Sequence, residues 1–156
     1  MRRMATFGAV CVVAAIVLLI VLAGGDNQPA AGTGPVGTVR QFLTVAAVEN
    51  NGDVACRYLT NAEMLRVERA AQETTSCGAA FSAGKLTIGG KSYGGDLKQL
   101  SFSGAENDGR AAVTVSAGGS TLLFRVVPAT AGERNQFAAP ATPWRIDSGA
   151  AAVVSR

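Results

Sequence analysis

Residues Arg110–Val127, RAAVTVSAGGSTLLFRVV, decide the fold class. In Arg110–Ser116 the side chains of Ala111, Val113 and Val115 fall on one face, and in Thr121–Val127 those of Leu122, Phe124 and Val126 do the same. Successive side chains of an extended chain point to opposite sides, so each run is a strand with one apolar face. Between them lies Ala117-Gly118-Gly119-Ser120. Paired glycines accept the positive φ angles of a tight turn, so the two strands fold back on each other as a hairpin.

Outward from this hairpin the alternating pattern continues. Leu97–Ser103 reads as a preceding strand, turned back by a loop over Gly104–Gly109 (GAENDG). Leu86 and Ile88 mark a shorter strand, followed by the glycine-rich GGKSYGGD ending at Asp96. Downstream, the stretch from Pro128 to Pro143 is rich in Ala and Pro and is expected to be an exposed, mobile excursion. Trp144-Arg145-Ile146-Asp147 resumes a strand, which Ala150–Val154 is expected to extend.

Before Lys85 the period is helical. Val39, Phe42, Leu43, Ala46 and Ala47 form one apolar stripe, and Asn50-Asn51-Gly52 supplies the stop. Asp53 is the expected N-cap of a short helix carrying Val54, Cys56, Tyr58 and Leu59. Thr60-Asn61-Ala62-Glu63 has capping-box spacing and opens a helix to about Gln72. A last turn or two holds Cys77, Ala80 and Phe81 and ends at Gly84. Helices first and a strand meander second give an α+β domain, its helices packed on a curved antiparallel sheet.

The N-terminus is different in kind. Met4–Ala23 contains no charged residue, and as a helix it is about 30 Å long, the thickness of a bilayer core. Arg2 and Arg3 precede it and Asp26 follows, so the positive-inside tendency sends the remainder outward. The expected organisation is an anchor over residues 1–25, a flexible linker over 26–35 and an exported domain over 36–156. The alternative is a cleaved signal peptide processed at Val21-Leu22-Ala23, which would make the protein secreted. Signal cores usually run about 7–15 residues, so the length favours a single-pass anchor in the cytoplasmic membrane, N-terminus inside.

The formal charge of +3 and pI near 9 suggest nucleic acid as a partner. Without Arg2 and Arg3, however, the 14 basic residues become 12 against 11 acidic ones. They form no basic run, so no phosphate-backbone footprint is expected. Gly89-Gly90-Lys91-Ser92 mimics the end of a phosphate-binding loop, but Lys85 stands where that loop needs glycine. It reads as a turn between strands.

Cys56 and Cys77 lie in the exported part and are expected to form a disulfide, with buried free thiols as the alternative. Closing that loop contributes about 3 kcal/mol on the chain-entropy model. The chain has no histidine, which removes Ser-His-Asp and Cys-His nucleophiles and histidine-bound metals. No cofactor or metal is expected. Acid–base chemistry would rest on a carboxylate, and the candidates are Asp53, Asp96 and Asp147. Asp53 is better explained as a cap and Asp96 as a loop residue, so no catalytic residue is assigned. Tyr58, Phe102, Phe124 and Trp144 either line a concave pocket or fill the core.

Several of these features occur together in a known family. The apolar N-terminus, the helix over Val39–Val48, the stretch Ala55-Cys56-Arg57-Tyr58-Leu59-Thr60, the later Cys77 and the closing Trp144-Arg145-Ile146-Asp147 recur in one order. In this the chain resembles small exported, actinobacterial-type proteins of the nuclear-transport-factor-two-like cone-fold superfamily. The resemblance covers about residues 36–150 and implies a cone-shaped α+β domain. Tethered relatives of the Mce-associated kind and periplasmic subunits of secretion machines are non-catalytic accessories.

The expected function is therefore a membrane-tethered extracytoplasmic interaction or ligand-binding module. Its expected partners are the membrane, through the N-terminal helix, and an envelope protein or a small apolar ligand. The alternatives are a carboxylate-dependent isomerase- or cyclase-like enzyme and a ligand-free envelope-stability protein.

Overall fold

Pro35 begins the first described helix. Its fixed φ suits the first helical position, where no backbone N–H is needed. A computed structural model describes residues 33–72, 76–81, 87–92, 97–136 and 138–154. Helix α1 (Pro35–Leu43) buries Thr38, Val39, Phe42 and Leu43. It widens into a π-helical stretch, Thr44–Val48, in which the Glu49 N–H bonds the Thr44 carbonyl five residues back. Asn50, at φ 50°, ends the run. The anchor expected over Met4–Ala23 and the linker up to residue 32 lie outside the described residues. Among those described, no helix is long and apolar enough to cross a membrane.

Helix α2 (Gly52–Cys56) is capped by Asn51, whose Oδ1 accepts the Val54 N–H at 3.2 Å. Asp53, the expected cap, instead sits in the first turn, where its negative charge suits the helix dipole. Helix α3 (Asn61–Ala71) is capped by Thr60 and ends at Gln72, φ 58°. Helix α4 (Cys77–Phe81) follows, and its expected stop at Gly84 lies outside the described residues.

Cys56 and Cys77 are joined by a disulfide that ties α2 to α4, with the two Cα atoms 6.1 Å apart. Beside it Gly52 of α2 meets Gly78 of α4 backbone to backbone. A Cβ on Gly52 would overlap the Gly78 carbonyl oxygen, and one on Gly78 would overlap the Asp53 carboxylate.

Strands β1 (Thr87–Ile88) and β2 (Lys91–Ser92) form a small hairpin turned by Gly89 and Gly90, both at positive φ. Leu86, expected in the first strand, lies outside the described residues. The main sheet is an antiparallel meander of β3 (Ser101–Asn107), β4 (Arg110–Ala117), β5 (Ser120–Pro128) and β6 (Trp144–Ser148), in that spatial order. Val113 pairs with Phe124 and Val115 with Leu122 across β4 and β5. Their turn is Gly118-Gly119, at φ 53° and 84°.

The preceding hairpin is longer than expected. Leu97–Gln99 forms a turn of 3-10 helix, and β3 runs to Asn107 through residues expected in a loop. Asp108-Gly109 alone makes the turn, both at positive φ as a tight hairpin requires. At the other end, Ala150–Val154 does not extend β6. Gly149, at φ 107°, breaks the strand, and α6 (Ala151–Val154) turns back onto the helical layer.

The core lies between α1 and the inner sheet face. Phe42 sits at its centre, edge to face with Phe81 at 5.5 Å and with Phe124 at 6.2 Å between centroids. Val39, Val113, Val115, Val126 and Ile146 close round it, all fully buried. The outer edge of β6 is covered by the segment between α2 and α3. Leu59 bridges Ile146 in parallel: the Ile146 N–H donates to Tyr58 O at 2.8 Å, and the Thr60 N–H to Ile146 O at 2.9 Å.

Candidate functional site

The four aromatic residues weighed as pocket lining do not come together. Phe124 is fully buried in the core. Tyr58 is buried beside the β6 edge and donates its hydroxyl to Gln41 Oε1 at 3.3 Å. Phe102 lies on edge strand β3 beneath the Arg40 guanidinium, 5.0 Å from the ring centroid. Phe102 registers with Val115 and so with Leu122, whereas Trp144 on the opposite edge strand registers with Pro128. From Leu122 to Pro128 the strand advances about 20 Å. Phe102 and Trp144 therefore occupy opposite corners of the sheet.

The carboxylates resolve differently. Asp96 lies outside the described residues. Asp147 is the extra residue of a β-bulge, since Arg125 pairs with Ser148 and Val126 with Ile146. A bulge re-aims a side chain, and Asp147 accepts the Thr60 hydroxyl at 3.4 Å. Among the described residues the buried carboxylate is Glu63, whose spacing from Thr60 is that of a local capping box. Half of that box forms: Thr60 Oγ1 accepts the Glu63 N–H at 3.3 Å. The Thr60 N–H is already committed to Ile146, so the Glu63 side chain turns elsewhere. Its Oε1 accepts the Ala151 N–H at 3.0 Å and caps α6 from across the fold.

Glu63 Oε2 is fully buried and accepts no hydrogen bond. Arg66 Nε lies 3.2 Å away, compensating charge without hydrogen-bond alignment. Burial pushes the Glu63 carboxyl above its ordinary range. The Ala151 and Ala150 amides and Arg66 oppose that shift, and Asp147 adds to it.

On β6, Arg145 is the largest fully buried side chain among the described residues, 1% exposed. Its guanidinium donates to carbonyls only: Trp144 O at 2.7 Å, Thr142 O at 3.0 Å and Glu133 O at 3.3 Å. Two of these belong to the Pro128–Pro143 excursion, which is exposed over most of its length, as expected, and carries a short helix and hydrogen-bonded anchor points. The Ala129 N–H bonds Pro143 O at 2.7 Å, closing its neck. Helix α5 (Ala131–Arg134) opens with a complete capping box between Thr130 and Glu133. Thr142 is buried, with its hydroxyl 2.6 Å from that of Thr38 on α1. Arg57 Nη1 reaches Ala138 O at 3.2 Å, and Arg134 Nη1 reaches Ala129 O. Residues 129–136 and 138–143 thus belong to a strap that the Arg145 and Arg57 guanidinium groups tie to the domain, with Arg134 bracing it internally.

Burial lowers the Arg145 pKa; Glu133 and Tyr58 counter that, and Arg134 reinforces it. Burial also raises the Tyr58 phenol, with Glu49 adding to the shift and Arg145 opposing it. Nothing in the spacing of the Trp-Arg-Ile-Asp stretch distinguishes Arg145 from a solvated strand residue. The signal is indirect: a cation within an apolar strand directly follows a proline-bounded excursion able to cover it.

Among the described residues the buried ionic side chains are thus Glu63, which meets Ala151 and Arg66, and Arg145, which meets the Glu133, Thr142 and Trp144 carbonyls. Among the described residues no cluster of three or more Cys, Asp or Glu side chains forms a metal site. Comparison with family models, with curated proteins and with solved structures finds no match to this chain.

Proposed function

We propose that this chain is a non-catalytic, membrane-tethered binding module on the outer face of the cytoplasmic membrane, its exported domain a cone-type α+β fold. The Cys56–Cys77 disulfide carries the reading. Disulfides persist in oxidising compartments, and the uncharged run Met4–Ala23 supplies a route to one. The packing of Phe42, Phe81 and Phe124 in the space between helices and sheet supports a binding role over an enzymatic one. An isomerase- or cyclase-type enzyme needs its carboxylate beside an open cavity. Glu63, the buried carboxylate, is engaged in joining α3 to α6.

Protease digestion of intact spheroplasts tests the reading. Added proteinase K is expected to remove the domain while leaving a short membrane-embedded fragment. A chain that stays intact until the membrane is permeabilised would overturn it.

A further inference from the structure

Strand β3 forms one edge of the main sheet, and among the described residues no strand pairs with its outer side. Its two-residue turn, Asp108-Gly109, fixes which backbone groups are free. The pair flanking such a turn, Asn107 and Arg110, exchanges both hydrogen bonds, and bonded pairs alternate from there. Ser101, Ser103, Ala105 and Asn107 therefore bond to β4, whereas Phe102, Gly104 and Glu106 turn their N–H and C=O groups outward. Gly104 is exposed, and with no side chain what it exposes is backbone. The strand has no proline, and its pairing with β4 is unbroken from Ser101 to Asn107, so it lacks the devices that commonly blunt an edge.

The charges along this edge are arranged in a self-complementary way. Phe102, Gly104 and Glu106 register with Val115, Val113 and Ala111, all buried, and so lie on the helix side of the sheet. Arg40 of α1 stacks over the Phe102 ring at one end of the strand, and Glu106 lies at the other. Both are exposed, and among the described residues neither takes part in an ion pair.

We propose that β3 pairs antiparallel with β3 of a second copy of this chain, about a two-fold centred on Gly104, joining the two sheets into one. Outward-facing groups must meet outward-facing groups, and this centre matches them all: Gly104 with Gly104, and Phe102 with Glu106 of the second copy. A centre on Ser103 or Ala105 would leave one of them facing Leu100 or the Asp108 turn. Residues directly opposite share a face of the sheet, so Glu106 of each copy lands beside the Arg40–Phe102 stack of the other. Helix α1 reaches β3, β4 and β6, so it crosses the sheet and leaves the edge clear. Val36 lies against Gly104, where a Cβ would overlap its methyl. The two-fold therefore puts both Val36 residues near the axis and on one face, an arrangement that suits two chains tethered in one membrane. That last point alone rests on the tethered reading.

Mixed-disulfide mapping on the full chain tests the register. A Cys11→Ser background leaves Cys56 and Cys77 joined, and Ser103→Cys and Ala105→Cys versions are mixed equally in phosphatidylcholine vesicles and oxidised. Ser103 faces Ala105 of the second copy as a non-hydrogen-bonded pair, with Cα atoms about 4.5 Å apart, within disulfide reach. Identical positions are about 8 Å apart and out of reach. The 103–105 bond is expected to exceed either same-position bond roughly tenfold.

Glu106→Lys in both versions reverses the two symmetry-related ion pairs and is expected to lower the 103–105 yield roughly tenfold. Adding Arg40→Glu is expected to restore most of it. Both side chains are exposed, so the domain keeps its fold. A statistical mixture of the bonds, a yield that Glu106→Lys leaves unchanged, or a loss that Arg40→Glu does not restore overturns the proposal. Failure of the tether shows separately, as chains left outside the vesicles, and the same bond ratio is then read on the soluble fraction.

Discussion

Glu63 and Ala151 are 88 residues apart in sequence, yet the Glu63 carboxylate accepts the Ala151 amide at 3.0 Å. A residue at the third position of one helix thereby caps another. The arrangement follows from the neighbouring strand: β6 takes the Thr60 N–H through Ile146, so the reciprocal bond of the capping box has no donor left.

Because the folded-state pKa of Glu63 is raised, the folded protein takes up this proton before the unfolded chain does. The contribution is fully present below the unfolded carboxylate pKa and is lost as pH rises through the raised folded value. Glu63→Gln keeps an acceptor for Ala151 and removes the buried charge. It is expected to be at least as stable as the parent at neutral pH, with that advantage shrinking on acidification. Urea melts across pH 4–7 check this, and an advantage that grows on acidification would refute it.

The Gly52–Gly78 contact predicts an asymmetry. Gly52→Ala drives a methyl into a backbone carbonyl, whereas Gly78→Ala meets the movable Asp53 side chain. Gly52→Ala is expected to cost about 3 kcal/mol and Gly78→Ala about 1 kcal/mol, read by denaturant midpoints. Equal losses would mean that the two helices adjust as freely at either glycine.

Reduction of the Cys56–Cys77 bond is expected to lower stability by about 3 kcal/mol with little loss of secondary structure. Paired Cys56→Ser and Cys77→Ser substitutions should reproduce the effect, as measured by thermal melts followed by circular dichroism. A reduced protein that melts at the parent's temperature would show that the core alone holds α2 against α4.

Thr142→Val removes the hydroxyl shared by Thr38 and the Trp144 N–H. It is expected to cost about 1 kcal/mol and to speed hydrogen exchange at Ala129 and Arg134, leaving β4 and β5 amides protected. Unchanged exchange at those two amides would show that the strap is pinned by arginine alone.

What was legible in the sequence is what local patterning determines. The β4–β5 hairpin was readable because its apolar positions alternate and paired glycines allow one kind of turn. The disulfide and the amphipathic stripe of α1 were readable for similar reasons. Gly104–Asn107 was not, because it lacks β-branched residues and is held in β3 by pairing with β4. Ala150–Val154 was ambiguous as a short apolar run, and a distant residue, Glu63, decided it as a helix. The polar site escaped for the same cause: Glu63 and Arg145 acquire their surroundings only through tertiary contacts. The strap's proline and alanine content signalled an exposed excursion, which it is, but says nothing of the carbonyl bonds that tie it down.

The central claim is that this domain is exported and remains tethered. The most direct measurement is an intact mass of the full chain recovered from carbonate-washed membranes. The account predicts a chain beginning at its N-terminal segment, with a mass about 2 Da below the fully reduced value from one disulfide. A soluble chain with both Cys56 and Cys77 as free thiols, or one beginning near Gly24, would contradict it.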